Sequence, residues 1–559
     1  MGISEHIMSE RGIDITTAQR KLILDLLGKH LPNTSAWAYG SRVTWKARPQ
    51  SDLDMVVFAT PEKAHAVANL KEAFEESDLP FRVDLFAWYE VPEQFQKNIM
   101  AEHVVLVEQQ VVALGENPLT FGICAQEVRN TVRPEDISQV PYIGLEHIEQ
   151  NTLHLSGFGT STDVKSIKST FSHQDILFGK LRPYFRKVAL APFDGVCSTD
   201  IWVVRATQSV DQKFLFYWMA SKAFIDFSMQ GAEGTKMPRA KWEHVSRHQI
   251  PFVSLPEQRA IAHILGSLDD KIALNRRMNA TLEGMAQALF QSWFVDFDPV
   301  IDKALAAGNP IPEPLQARAA VRESFGNARK PLPEGIQGIF PDAFEHTDEM
   351  DWVPMGWEVQ PLYDVANFIN GAAYRDFHFT DEADALPIVK IAEIKNGISG
   401  QTKFTKTVLA EKYRIVDGDI LFSWSGNPDT SIDTFVWTGG PGWLNQHIFK
   451  VDLYSPEDRN LVYYQLKSLR PTFAEIARNK QTTGLGHVTA QDMKRLFVIK
   501  CEKAMLAAFN HCTGHLFDKW YANLLETKKL ADIRDTFLPK LLSGELRIAN
   551  AMEFMKDGV

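Results

Sequence analysis

The residues best suited to chemistry lie in the first hundred positions. Gly40-Ser41 is followed, after ten intervening residues, by Asp52-Leu-Asp54. Ala36-Trp-Ala-Tyr39 reads as a short strand before the turn, and Met55-Val-Val-Phe58 continues a second strand after the acids. Phe81-Arg-Val-Asp84-Leu-Phe86 offers another strand and a third carboxylate. Side chains alternate along a strand, so Asp52 and Asp54 are expected on one face. Together with Asp84 they could hold two Mg2+ ions, which would clamp a nucleoside triphosphate and its attacking hydroxyl for in-line displacement. The Gly40-Ser41 turn would bring backbone N–H groups against the phosphates.

A second constellation is basic and aromatic. Lys180, Arg182, Arg186 and Lys187 form a run with Tyr184 and Phe185 interleaved, and Lys236, Arg239 and Lys241 follow the glycine at position 234. Arg or Lys against guanine edges is the commonest specific contact to duplex DNA, and phosphate contacts supply most of the remainder. Farther along, Ser423-Trp424-Ser425-Gly-Asn427 and Thr482-Thr483-Gly-Leu-Gly-His487 occupy loops that match those of the first constellation.

That match comes from an internal repeat. Asp175-Ile-Leu-Phe178 recurs as Asp419-Ile-Leu-Phe422. In the same order, 142–148 corresponds to 388–394, Cys197–Val204 to Leu444–Val451, and the neighbourhood of Gly234 to that of Gly486. Repetition at one near-constant offset implies two copies of one structural unit. Each copy ends in a helix with a heptad seam: Leu268, Ile272, Asn275, Asn279, Leu282, Ala286, Leu289 and Trp293 in the first, and Leu516, Trp520, Asn523, Thr527, Leu530, Arg534, Phe537 and Leu541 in the second. Such seams let two helices pack along their length, with Asn275 and Asn523 as register-setting polar positions. The segments ahead of the helices are β-rich, with Gly, Pro and Asp as punctuation, so each copy reads as a globular α/β unit followed by a long helix.

A chain of 559 residues exceeds one hydrophobic core, and 45% apolar with 23% charged residues describes a folded protein. No apolar run reaches membrane-spanning length and the first twenty residues lack a signal core, so a cytoplasmic location is expected. Cys124, Cys197, Cys501 and Cys512 lie far apart and read as reduced residues outside any disulfide or zinc framework. The net charge of −11 is unevenly spread. Residues 1–117 hold 11 Lys+Arg against 17 Asp+Glu, 118–255 hold 15 against 13, 256–355 hold 9 against 15, and 356–559 hold 24 against 25. Non-specific DNA binding by the chain alone should therefore be weak, because phosphate neutralisation needs a basic surface.

The order of globular unit, helix, globular unit, helix resembles the specificity subunit of type I restriction-modification systems. The residues that carry the resemblance are Asp175-Ile-Leu-Phe-Gly-Lys-Leu-Arg-Pro183, Ser198-Thr-Asp200, Gly418-Asp-Ile-Leu-Phe422 and Leu444-Asn-Gln-His447. Leu255-Pro-Glu-Gln-Arg-Ala-Ile261 is similar to the family's entry into its first helix, and Phe537-Leu-Pro-Lys-Leu-Leu-Ser-Gly-Glu-Leu546 to the close of its second. The resemblance implies two target-recognition domains separated by two long antiparallel coiled-coil helices, each domain reading one half of a split, asymmetric target in double-stranded DNA. It also implies adenine methyltransferase subunits that use S-adenosylmethionine, and an ATP-driven restriction subunit, as partners. The specificity region itself is not expected to catalyse. Independently, residues 1–115 resemble the minimal nucleotidyltransferases of the DNA polymerase β superfamily. That resemblance implies phosphate binding by Gly40 and Ser41, help from Arg42 and Arg48, and Mg2+ held by Asp52, Asp54 and Asp84.

The expected architecture is thus a multidomain α/β and α+β chain. A nucleotidyltransferase-like domain spans 1–115, recognition domains span 116–255 and 356–503, helices span 256–299 and 504–548, a partly ordered connector spans 300–355, and a tail spans 549–559. The alternative is an enzyme: a nucleotidyltransferase whose C-terminal repeats select an RNA or protein substrate. Two matched readers on spaced helices favour DNA specificity, since an enzyme has no evident need for them.

Overall fold

The structure, a computed structural model, describes residues 12–558 apart from positions 33, 49, 60–62, 93–94, 97, 100–101, 108–118, 235, 251–252, 327–331 and 482–484. It divides into two compact units, one of residues 1–270 with 530–559 and one of residues 271–529.

The first unit opens with a small α/β domain. Helix α1 (Thr17–His30) begins in a capping box, in which the Thr16 hydroxyl accepts from the Gln19 N–H and the Gln19 side chain accepts from the Thr16 N–H. Strands β1 (Ala36–Tyr39) and β2 (Leu53–Val57), helix α2 (Ala64–Glu75), and strands β3 (Val83–Ala87) and β4 (His103–Val107) follow, and the sheet order is β3-β2-β1-β4. β2 runs parallel to β3, and β1 runs antiparallel to both β2 and β4. Ala36, Ala38, Leu53, Met55, Val57, Val83 and Leu85 form one buried face against Ile23 and Leu27 of α1 and Val67, Leu70 and Phe74 of α2.

The two repeat copies fold alike, and the likeness extends to individual hydrogen bonds. In the first, the strand Ile176–Gly179 lies antiparallel between Val188–Leu190 and Ile201–Ala206, with Ile176 opposite Val204. In the second, Ile420–Ser423 lies between Asp433–Val436 and Ile448–Asp452, with Ile420 opposite Val451. Each copy also contains a short parallel pair, Pro141–Ile143 beside Gly195–Cys197 and Leu386–Val389 beside Gly442–Leu444. The residue before each repeated aspartate has positive φ, +69° at Gln174 and +95° at Gly418. Each aspartate accepts from a backbone N–H three residues upstream, Ser172 or Val416, at 2.7 and 2.9 Å. Each also holds a cation, Arg205 on Asp175 at 2.6 Å and Lys450 on Asp419 at 3.0 Å. The repeated Asp-Ile-Leu-Phe is therefore a folding device: the acid closes the entering turn and the three apolar side chains fill the core.

Two forty-residue helices, Leu255–Phe294 and Lys503–Leu542, pair antiparallel. In the first unit Arg534 donates to Asp269 at 2.7 Å. In the second, Asn275 donates to Glu526 at 2.8 Å and Asn523 donates to Asn279 at 2.9 Å, so the partner index falls as the first index rises. Leu268, Ile272, Asn275, Asn279, Ala286 and Trp293 are buried along the first seam, and Trp520, Asn523, Leu530, Arg534 and Leu541 along the second. A short terminal helix, Ile548–Gly558, follows.

The segment after the first long helix is more ordered than its Pro- and Gly-rich composition suggests. It folds into helices Asp298–Ala307 and Gln316–Ser324 and a hairpin of Phe344–Thr347 with Asp351–Pro354. Phe297, Val300, Ile301, Ala304, Phe340 and Phe344 join the core of the second unit, and Arg318 grips the buried Asp298 at 2.7 Å. Among the described residues no helix is long and apolar enough to cross a membrane.

Candidate functional site

Gly40 ends β1 with φ +81°, and a Cβ placed there would lie 2.2 Å from Asp54 Oδ2. Only glycine lets the backbone turn this close to a carboxylate. The turn is then closed by Val43 and Thr44 N–H groups donating to the Gly40 carbonyl at 3.2 and 3.1 Å. Tyr39 stands opposite Asp54 in the antiparallel ladder, and Asp54 stands opposite Asp84 in the parallel one. Paired positions point to the same side of a sheet, so all three side chains share one face. Asp52 is exposed just ahead of β2, whereas Asp54 and Asp84 are half-buried.

Burial, then the charges of Asp84 and Asp52, push the Asp54 carboxyl above its ordinary value. Burial, with Asp54 and Asp84, pushes the Tyr39 hydroxyl up to about 12. Burial leads in both shifts and the neighbouring carboxylates add to it; a bound cation would relieve the second cause. Three carboxylates, one flanked by a glycine turn, suit a hard divalent cation in donor type. Among the described residues, however, no three His, Cys, Asp or Glu side chains are gathered into a formed metal cage. Asp84 meets Arg82 at 3.3 Å instead.

The two arginines near this turn differ. Arg48 has an exposed side chain, and its backbone N–H donates to the Ser51 hydroxyl at 2.9 Å. Arg42 is only 5% exposed; it donates to the carbonyls of Ser51 and Asp14 and lies 3.9 Å from the Phe81 ring centroid. The expectation that Arg42 assists a triphosphate is therefore corrected: its guanidinium is committed to bracing the turn.

In the first recognition domain, two loops distant in sequence converge. Arg182 N–H donates to the Pro238 carbonyl at 2.7 Å and Ala240 N–H to the Lys180 carbonyl at 2.9 Å. The junction brings Lys180, Arg239 and Lys241 into one cleft of about 560 Å³ with Arg129, Trp202, Met237 and Trp242. Arg239 pairs with Asp200 at 3.1 Å, and Lys241 pairs with Glu233. Lys236 is exposed on the same hairpin, and Tyr184 packs edge-on against Phe185 at 4.6 Å. Arg182 has φ +53° and lies 6.0 Å from the Phe185 ring.

Arg186 and Lys187 do not belong to this cleft. Arg186 makes a two-pronged ion pair with Asp535 at 2.9 and 3.0 Å and donates to the Ala220 carbonyl. Lys187 donates to the Leu145 carbonyl, and burial holds its ammonium below the ordinary lysine value. Their expected place beside Lys180 is corrected: both reach inward, to partners remote in sequence, and neither lines the cleft.

The second copy builds the same junction. Val488 N–H donates to the Trp424 carbonyl at 2.8 Å, the counterpart of Ala240 to Lys180, and Ser425 pairs with His487. The half-buried Trp424 donates its indole N–H to Asn370 at 2.9 Å, and its ring lies 5.5 Å from His447. His487 is exposed beside it. Asn427 uses its side-chain oxygen on its own turn, accepting from Asp429 and Thr430 N–H groups at 3.0 and 3.1 Å. Thr482 and Thr483 lie outside the described residues.

Sequence reasoning missed Tyr39, although pairing β1 against β2 would have placed it opposite Asp54. It also missed Arg129 and Trp242 in the cleft. Trp242 could have been taken from its neighbour Lys241, whereas Arg129 reaches the cleft only through folding.

Comparison with known proteins agrees with this division. The family described as "Type I restriction modification DNA specificity domain" matches residues 131–284 and 354–499, over half of the chain. The family described as "Polymerase beta, Nucleotidyltransferase" matches residues 22–111. The type I restriction enzyme HindI specificity subunit of Haemophilus influenzae is 27% identical over 406 residues, 68% of this chain and 88% of that protein. A probable protein adenylyltransferase of the same organism is 39% identical over 99 residues, 18% of this chain and 87% of that protein. The crystal structure of a type I restriction-modification S subunit from M. genitalium aligns at 16% identity and a TM-score of 0.39, over 77% of this chain and 97% of that one. With two copies of the family's domain following a polymerase β-type nucleotidyltransferase domain, the chain belongs to the type I restriction-modification DNA specificity family.

Proposed function

We propose that the chain selects the DNA target of a type I restriction-modification complex, each recognition domain reading one half of a bipartite, asymmetric sequence. The observation that carries this reading is the junction built twice. The loop leaving the Asp-Ile-Leu-Phe strand meets the loop near residues 239 and 487 through equivalent hydrogen bonds, with different side chains displayed in each copy. A conserved scaffold bearing different side chains is what two readers of unlike half-sites require. Lys180, Arg182, Lys236, Arg239 and Lys241, with Tyr184 beside them, serve one half-site; Trp424, Ser425, Asn427 and His487, with Thr482 and Thr483, serve the other. The complex is cytoplasmic. Adenine methyltransferase and restriction subunits are its partners and supply the S-adenosylmethionine- and ATP-dependent chemistry. Exchanging residues 118–250 for a foreign recognition domain is expected to change one half-site and leave the other intact. Sequencing the methylated motif decides this, and a change in both halves rules out separable readers.

The front domain acts as a Mg2+-dependent nucleotidyltransferase with a regulatory role in the complex. Asp52, Asp54 and Asp84 would hold the metal, which would supply charge neutralisation for a triphosphate. Gly40 and Ser41 would admit the phosphates against the turn, and Arg48 would add a cation at its exposed rim. Tyr39 keeps the inner side of the carboxylates dry.

A further inference from the structure

One face of the front sheet is covered by α1 and α2. The opposite face carries Trp37, Tyr39 and Val56 together with Asp54 and Asp84. Trp37 stacks on His103 at 3.8 Å there and meets Phe58 at 4.6 Å and Trp88 at 6.1 Å. This aromatic face is covered from outside the domain. Ala260 of the first long helix, 2% exposed, belongs to the same buried cluster, and Ile548 and Met552 of the terminal helix pack against it. Ile548 and Met552 also pack on the core of the first recognition domain, to which the fully buried Ala551 belongs.

The terminal helix thus bridges two cores. It follows the second long helix through residues 543–547, where Gly544 has φ +75° and open space around its Cβ position. Gly544 N–H donates to the Leu541 carbonyl at 3.3 Å and Leu546 N–H to the Lys540 carbonyl at 3.0 Å, so this glycine caps the second long helix and turns the chain into the terminal one. Beside the covered area Phe86 and Phe95 remain 44% and 48% exposed, so apolar surface continues outward from the cover. The front segment is also acidic, with 11 Lys+Arg against 17 Asp+Glu, which disfavours a nucleic-acid acceptor.

We propose that the terminal helix 548–558 is a displaceable cover on the aromatic side of the sheet face that carries the carboxylates, and that its displacement admits a protein acceptor for nucleotidyl transfer. The proposal rests on the nucleotidyltransferase reading and adds its regulation. In the step so controlled, an acceptor hydroxyl oxygen bonds to the α-phosphorus of a nucleoside triphosphate. The bond from that phosphorus to the bridging oxygen breaks, pyrophosphate leaves, and the hydroxyl proton passes to solvent. On the front domain the cover rests, among the described residues, on Ile548 and Met552 alone, while Ala551 keeps the helix on the neighbouring core; burial of one such side chain changes an equilibrium about ten- to a hundredfold, within reach of a competing partner.

The test uses the full chain with Ile548→Asp and Met552→Asp together. Hydrogen exchange in residues 36–39, 53–57 and 103–107 is expected to quicken about tenfold, while 176–179 and 201–206 stay protected. Transfer of label from α-labelled ATP with Mg2+ to proteins of a host extract should rise about tenfold, and vanish when Asp52→Ala and Asp54→Ala are added. The milder Ile548→Ala with Met552→Ala must change both readouts in the same direction, and it replaces the first variant if that one loses protection at 176–206. Unchanged exchange overturns the cover. Faster exchange with wild-type labelling overturns its control of transfer and leaves the nucleotidyltransferase reading standing. No label from any of these chains overturns both.

Discussion

Asp54 is held between a glycine turn, a tyrosine and two further carboxylates, and its carboxyl is raised by burial and by those neighbouring charges. The fold therefore favours the protonated form. Its stabilising contribution is full below the ordinary carboxylate range and is lost as pH rises through the raised value. Asp54→Asn should raise the calorimetric melting temperature in metal-free buffer at neutral pH by about 2–4 °C and flatten its decline with pH. A lower melting temperature would contradict the repulsion described. Among the arginines, Arg239→Ala should weaken binding of the cognate target about tenfold without altering melting. Arg186→Ala should instead destabilise the protein by about 1–2 kcal/mol, because the Ala220 carbonyl loses its donor and Asp535 keeps only Arg534. Equal effects of the two in DNA-binding titrations would undo the distinction. The acids and Gly40 were legible because their spacing is local. Arg42, Arg186 and Lys187 were not: a basic side chain does not announce the carbonyl or carboxylate that claims it, and Asp535 lies 349 residues from Arg186.

At the scale of elements, the long helices carry most of the order. Their heptad seams were legible because every fourth and third position is apolar, small or a pairing polar residue. Asn523 meets Asn279 within the seam rather than Asn275, since antiparallel packing offsets equivalent positions. Each recognition domain is tied to the first long helix by a buried tyrosine, Tyr217 to Asp269 at 2.7 Å and Tyr463 to Glu283 at 3.0 Å. Each bond ties its domain to its own stretch of that helix. Deleting one heptad from each helix should shorten the gap between recognised half-sites while leaving both half-site sequences unchanged. Methylome sequencing of the variant checks this, and an unaltered gap would contradict a spacing set by helix length. The folding of residues 298–354 escaped sequence reading. Its order comes from ion pairs such as Arg318 to Asp298, twenty residues apart, and from Phe297 and Phe340 packing into a distant core, none of which leaves a periodic signal.

For the whole molecule, domains of two families occupy one chain, and they differ in charge. The front segment is acidic, and the cleft of the first recognition domain sets Arg129, Lys180, Arg239 and Lys241 against Glu127, Glu233 and Glu243. Cations already paired with carboxylates exchange partners for phosphate at little net gain, so affinity for random DNA should be low and selectivity should depend on fitted contacts. The repeat, the helices and the fused front domain were all legible, because each is written in order and spacing. The packing of Ala260, Ile548 and Met552 on the aromatic side of the front sheet was not, because these residues reach it only in the fold. The central claim, that this chain dictates a DNA target, is tested most directly by mapping adenine methylation across a genome in cells that express it with its methyltransferase subunit. The account predicts a single split, asymmetric methylated motif that disappears when this gene is deleted. An active methyltransferase whose methylation pattern is indifferent to the deletion would contradict it.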